Sequence, residues 1–167
     1  ANVPFVPGCG LWFDHHLSEV ERLRTVKEHS FVGASRPAPS CARVIYEYYG
    51  GAAKFQKFDE SGLMWAIDKS DAGNLTIEEL TSPTGWILLS FTMDARTGLG
   101  RFKDYRISNY DLMKEMIGYL RTLPVEQILA NPDVQDRVDR YFAQETDYRA
   151  MIQAHGLVEG TVLAIDL

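Results

Sequence analysis

The apolar run Gly10-Leu11-Trp12-Phe13 stops abruptly at three polar residues, Asp14-His15-His16. A short apolar run behind a Pro/Gly-rich entry is the pattern of a buried strand, and the polar triplet marks its carboxyl end. In an open α/β sheet, ligands collect just beyond that end. Ser18 and Glu21 have capping-box spacing ahead of Val20, Leu23 and Val26, which predicts a short helix directly after the triplet. Strand, polar triplet, helix is a βα unit, and it commits the first part of the chain to an α/β class.

The remaining pattern is dominated by helical spacing. Phe31 to Pro39 reads as a loop. Apolar positions 41, 44, 45, 48 and 49 then predict a helix over 40–49, with Pro39 in its first turn and Gly50-Gly51 as its stop. A second helix is predicted over 61–72, ended by Gly73, and Thr81-Ser82-Pro83 reads as a cap and first turn before the apolar run Trp86–Phe91. Beyond Asn109 come predicted helices over 110–123 and 125–130. A long third follows, capped by Asn131 and ended by Gly156, about 36 Å at 1.5 Å per residue. Residues 160–167 read as a buried strand. The organisation expected is residues 1–106 as part of a parallel-sheet domain, 107–156 as a helical connector, and 157–167 as the first strand of a further domain.

Composition narrows the function classes. The 167 residues carry 17 Lys+Arg against 23 Asp+Glu, a net charge of −6. That balance argues against a broad basic footprint for long nucleic acid, while leaving room for a local phosphate pocket. Two cysteines, Cys9 and Cys41, make no disulfide framework, so a reducing compartment is the simpler expectation. No run reaches the ~20 apolar residues of a membrane span, and no basic segment followed by an apolar one opens the chain. The expected location is cytoplasmic, with no membrane partner.

Carboxylate and imidazole side by side suit Mn, Fe, Co or Zn better than Ca. Strand alternation would point the two imidazoles apart, one toward a metal and one toward a substrate anion. A rival grouping, a zinc site from Cys9, Asp14, His15 and Cys41, has no characteristic spacing behind it. His29 and His155 read as surface or helix-end histidines. Trp12, Trp65, Trp86 and the Tyr46/Tyr48/Tyr49 group read as core and interface aromatics. Thr97-Gly98-Leu99-Gly100, between Arg96 and Arg101, reads as a turn.

Three segments occur in order: Leu11-Trp12-Phe13-Asp14-His15-His16-Leu17-Ser18-Glu19, then Pro39 to Gly51, then Ala66-Ile67-Asp68-Lys69-Ser70-Asp71-Ala72-Gly73. In this the chain resembles the DHH phosphoesterase family, in particular the bacterial and archaeal proteins described as exopolyphosphatase-related. The resemblance covers most of residues 8–80. It implies an αβα DHH domain and hydrolysis of a phosphodiester or phosphoanhydride, with polyphosphate and short oligonucleotides among the substrates. Asp14 would orient its neighbours, His15 would ligate a divalent metal, usually Mn, and His16 would meet the substrate phosphate. The later acidic ligand is Asp68 or Asp71; they share a helix face, and Asp68 is the favoured assignment. The implied mechanism is in-line attack by a water between two metals ~3.5–4 Å apart. Ser40, Arg43 and Arg36 are candidates for binding the phosphate.

The chain departs from that family in two ways. It contains no Asp-x-Asp motif, and the glycine- and histidine-rich motif of the family's second domain is missing. The expectation is therefore a phosphoesterase parent, with this chain alone weakly metal-binding and nearly inactive. The alternative is a non-catalytic metal- or phosphate-binding or oligomerising module that keeps the fold. Homodimerisation, for instance through the helices after Asn109, is expected of either.

Overall fold

The computed structural model describes residues 1–26 and 30–166. His29 lies outside the described residues. The chain is α/β and mostly helical, and it packs as two compact units, Ala1–Ile87 and Leu88–Leu167. The sequence reading drew its first boundary later, after residue 106.

In the first unit β1 (Trp12–Asp14) pairs in parallel with β2 (Gly33–Ser35), joined through α1 (Leu17–Thr25). The expected buried strand and its following helix are both present, and the strand partner lies inside what the sequence presents as a loop. Gly-Ala-Ser has no β-branched or aromatic residue to announce a strand; it becomes one by pairing with β1. Gly33 sits opposite Trp12 at φ +127°, where a Cβ would lie 1.9 Å from the Trp12 carbonyl oxygen. Only glycine permits that approach.

Successive residues of β1 face opposite ways. Trp12 packs with Phe5 and Leu23, with Cys9 and Phe31 against them; Phe13 packs with Cys41 and Val44, with Ala34, Ala38 and Ile45 around them. Burying side chains of this size contributes about 2–3 kcal/mol each. The two cysteines thus sit in different apolar clusters, and burial pushes the Cys41 thiol pKa up while its Sγ faces the Phe13 carbonyl at 3.5 Å. The zinc grouping of Cys9 with Cys41 is not formed.

Helix α1 starts earlier than the spacing of Ser18 and Glu21 predicts. His16 is its N-cap, and Ser18 lies within the first turn. Glu19 decides this. It is buried, accepts the Phe5 amide at 3.0 Å and is gripped by Arg22 at 2.8 and 2.7 Å, while Arg22 also reaches the Phe5 carbonyl.

Helix α2 (Cys41–Tyr48) is capped by Ser40, whose side chain accepts the Arg43 amide; Pro39 stands just outside the helix rather than in its first turn. Helix α3 (Ala52–Glu60) follows at once and was not legible in the sequence. Helix α4 (Leu63–Ala72) ends on Gly73 at φ +66°, as its sequence predicts. Thr81 closes the short α5 (Ile77–Thr81), whose cap is a Thr76/Glu79 capping box, and the apolar run lies in α6 (Gly85–Met93). The expected cap at 81–83 is therefore a helix end. Three unrecognised polar positions, Thr76, Glu78 and Glu79, outrank it as a start signal.

The second unit contains α7 (Asn109–Thr122), α8 (Val125–Leu129) and α9 (Pro132–His155). All three match their predicted spans to within a residue or two. Ile128 and Val134 are wholly buried between them. Arg137 is also buried: its guanidinium donates to Asn109 Oδ1, to the Ile107 carbonyl and to the Asp133 carbonyl, and lies 3.9 Å over the Tyr105 ring. Burial pulls its pKa below the usual arginine value. The turn at Thr97–Gly100 is two short 3-10 segments, Ala95–Thr97 and Leu99–Arg101, joined at Gly98. His155 closes α9, which stops at Gly156.

The chain then forms an antiparallel hairpin, β3 (Gly156–Glu159) with β4 (Val162–Ile165). The terminal strand is present but not buried, since all four β4 residues are exposed. Among the described residues, no helix is long and apolar enough to cross a membrane.

Candidate functional site

Beyond the carboxyl end of β1 the chain turns directly into α1, and this turn arranges Asp14, His15 and His16. Asp14 is completely buried. Its Oδ1 accepts the His16 backbone amide at 2.7 Å and the His16 ring Nδ1–H at 3.1 Å. A carboxylate receiving Nδ1–H leaves Nε2 as the open nitrogen, and the His16 side chain is half exposed. The two imidazoles do not point apart as strand alternation predicts: their centroids are 4.3 Å apart. Pairing ends at Asp14 and His16 already caps the helix, so the period-2 geometry does not extend that far.

His15 is held from the opposite side. Its Nδ1–H donates to the Ala38 carbonyl at 3.0 Å, which leaves the Nε2 lone pair free to coordinate. Ala38 lies between Pro37 and Pro39. A residue before proline is driven into extended backbone, so this carbonyl is presented by a stiff segment. Sequence reasoning missed Ala38; the Pro-Ala-Pro triplet was the available signal.

The two candidate acidic ligands are separated by packing. Asp71 Oδ2 stands 3.4 Å from His15 Nε2 and remains partly exposed. Asp68 is engaged elsewhere: Oδ1 accepts the Ser40 hydroxyl at 2.7 Å, and Oδ2 accepts Arg43 Nε and Nη2 at 2.8 and 2.6 Å. That pairing holds the Arg43 guanidinium pKa above its ordinary value. Ser40 is wholly buried, donating to Asp68 and accepting the Arg43 amide. Arg36 is paired with Glu47, and both side chains are open to solvent.

His15 and Asp71 pass a simple test as donors to one cation. Two ligand atoms each about 2.1 Å from an ion stand roughly 3.0 to 3.4 Å apart. An imidazole whose second nitrogen is already fixed, beside a carboxylate, is a donor set for an ion of the Mn, Fe or Zn type. Among the described residues, no group of three or more His, Cys, Asp or Glu is assembled for metal binding. The contacts present are pairwise, His15 with Asp71 and His16 with Asp14, with the two imidazoles side by side, and Asp68 is bonded to Ser40 and Arg43.

No family model matches the chain, and none of the curated proteins does. Among solved structures, the chain is similar to the pGpG-specific phosphodiesterase PggH from Vibrio cholerae, with 39% sequence identity and a TM-score of 0.78. The match covers 97% of this chain and 50% of that one. The chain thus spans half the length of the solved protein it matches.

Proposed function

We propose that this chain is the matched half of a metal-dependent phosphodiesterase of the DHH family, acting on short linear dinucleotides of the pGpG kind. The likeness that carries this reading is 39% identity sustained over 97% of the chain. The geometry of Asp14, His15, His16 and Asp71 supports it.

In this reading His15 Nε2 and Asp71 hold a divalent ion, Mn²⁺ by preference, with further ligands supplied outside these 167 residues. A divalent ion there would stabilise developing charge on the phosphoryl group and supply a water ionised near neutrality. Ala38 fixes the His15 ring so that its lone pair is already aimed, which removes a reorganisation cost from binding. His16, with Nδ1–H on Asp14, presents Nε2 to a phosphate oxygen. With a proton on Nε2 the ring donates a hydrogen bond to that anion, and Asp14 holds the ring in that orientation. Arg36 can exchange exposed Glu47 for a phosphate at little cost, because exposed ion pairs are weak. Ser40 and Arg43 act at one remove, through Asp68.

A chimera tests this, with residues 1–167 replacing the matched half of the solved phosphodiesterase. With Mn²⁺ it is expected to hydrolyse pGpG in preference to inorganic polyphosphate, and His15→Ala is expected to reduce turnover by at least 10³-fold. A folded chimera that binds Mn²⁺ but leaves pGpG intact would sink the substrate reading. The 167-residue chain alone is expected to bind Mn²⁺ weakly and turn over little; rapid hydrolysis by it, abolished in His15→Ala, would show that no further ligands are needed.

A further inference from the structure

The contacts around His15 close into a ring within the first unit. His15 Nδ1–H reaches the Ala38 carbonyl at 3.0 Å; two residues on, the Ser40 hydroxyl reaches Asp68 at 2.7 Å. Asp71 stands one turn beyond Asp68 on α4, on the same face. From there Asp71 returns to His15 Nε2 at 3.4 Å. Two of the three non-covalent links are hydrogen bonds of ordinary length. The third is longer and is the place assigned to the cation.

Asp68 is the pivot of this ring. It receives three hydrogen bonds, one from Ser40 and two from Arg43, all from the first turn of α2. Bonds to an ionised carboxylate, two of them from one planar guanidinium, fix direction as well as distance. Ser40 has no freedom left, because its oxygen also accepts the Arg43 amide at 2.9 Å. A shift of α4 along α2 would break all three bonds to Asp68 and move Asp71 relative to His15.

We propose that Asp68 is a positioning residue. It locks α4 to the first turn of α2 and so sets Asp71 opposite His15, acting through Asp71 without touching metal or substrate. The role rests on the reading of His15 and Asp71 as the metal-holding pair. Three of the roughly four acceptor positions of Asp68 are taken by Ser40 and Arg43, whereas Asp71 faces His15 Nε2.

The test uses the 167-residue chain with Asp68→Asn, Ser40→Ala, Arg43→Gln and Asp71→Asn, and with Asp68→Asn combined with Asp71→Asn or with Ser40→Ala. Three quantities are read: Mn²⁺ binding by calorimetry, the His15 ring nitrogen and carbon shifts without metal, and the melting temperature. Asp71→Asn is expected to remove Mn²⁺ binding. Asp68→Asn is expected to weaken it roughly 10-fold to 100-fold at unchanged stoichiometry. Ser40→Ala is expected to weaken it less, and to add nothing once Asp68 is changed. Without metal, Asp68→Asn should move the His15 ring signals as Asp71→Asn does, and the double variant should move them no further.

Loss of all Mn²⁺ binding in Asp68→Asn, with Ser40→Ala and Arg43→Gln normal, would make Asp68 a ligand and overturn the proposal. A lower melting temperature with unchanged Mn²⁺ affinity and unchanged His15 signals would reduce Asp68 to a plain brace. If the unmodified chain binds Mn²⁺ too weakly to measure, the same variants are read in the chimera, and the metal-free signals decide by themselves: non-additive shifts support positioning and additive shifts overturn it. Should Asp68→Asn not fold, Ser40→Ala and Arg43→Gln probe the same lock from the other side.

Discussion

Asp14 and Glu19 are two buried carboxylates a few residues apart, and each takes its hydrogen bonds from a different set of donors. Asp14 takes the amide and ring N–H of His16. Removing it with Asp14→Ala strands that amide at the end of β1, and we expect a loss of about 2 kcal/mol in urea unfolding. Glu19 is held below the usual carboxylate range chiefly by its bonds to Arg22, and also by the Phe5 amide. A depressed folded-state pKa adds stability that is complete above the unfolded value and disappears as pH falls through the folded one. The acid limb of the stability curve should therefore begin near pH 4.5 and steepen below it. In Glu19→Gln that limb should be shallower, as read by denaturant midpoints at successive pH values.

At the scale of elements, the close pairing of β1 and β2 depends on one residue. Gly33→Ala would drive a Cβ into the Trp12 carbonyl at a backbone angle that side chains avoid. We expect it to cost about 3 kcal/mol, with loss of the Trp12–Gly33 pairing visible as faster amide exchange at Trp12. In the second unit Arg137 ties α9 to the residues that begin α7. Arg137→Ala leaves the Ile107 carbonyl and Asn109 without their donor, and a comparable loss of about 3 kcal/mol is expected by thermal melting. Helices α2, α4, α7 and α9 were legible because their information is local: apolar residues at helical spacing, with Ser40, Gly73 and Asn131 at their ends. Strand β2 was not, because Gly-Ala-Ser acquires its conformation from a partner 21 residues away.

At the scale of the whole molecule, apolar surface is left uncovered. Leu157, Val158, Val162, Leu163 and Ile165 are exposed along the hairpin, and Tyr110, Met113 and Ile117 line one side of α7. Neighbouring apolar residues in this number are a liability in water. The 167-residue chain is expected to self-associate, with an apparent mass in light scattering that rises with concentration. Val158→Lys with Val162→Lys should lower that mass if the hairpin drives association; an unchanged mass would point to α7.

What the sequence by itself determined was the order of a strand, a polar triplet and a helix, and most of the later helices. These follow from periodicity and capping, which act within a few residues. It could not choose between Asp68 and Asp71, because three residues apart on a helix they share one face. Packing places them differently: α4 lies against the start of α2, where Ser40 and Arg43 take up Asp68, and Asp71 stands beside His15. That placement depends on contacts across 25 to 56 residues of chain, and only the folded structure brings those groups together.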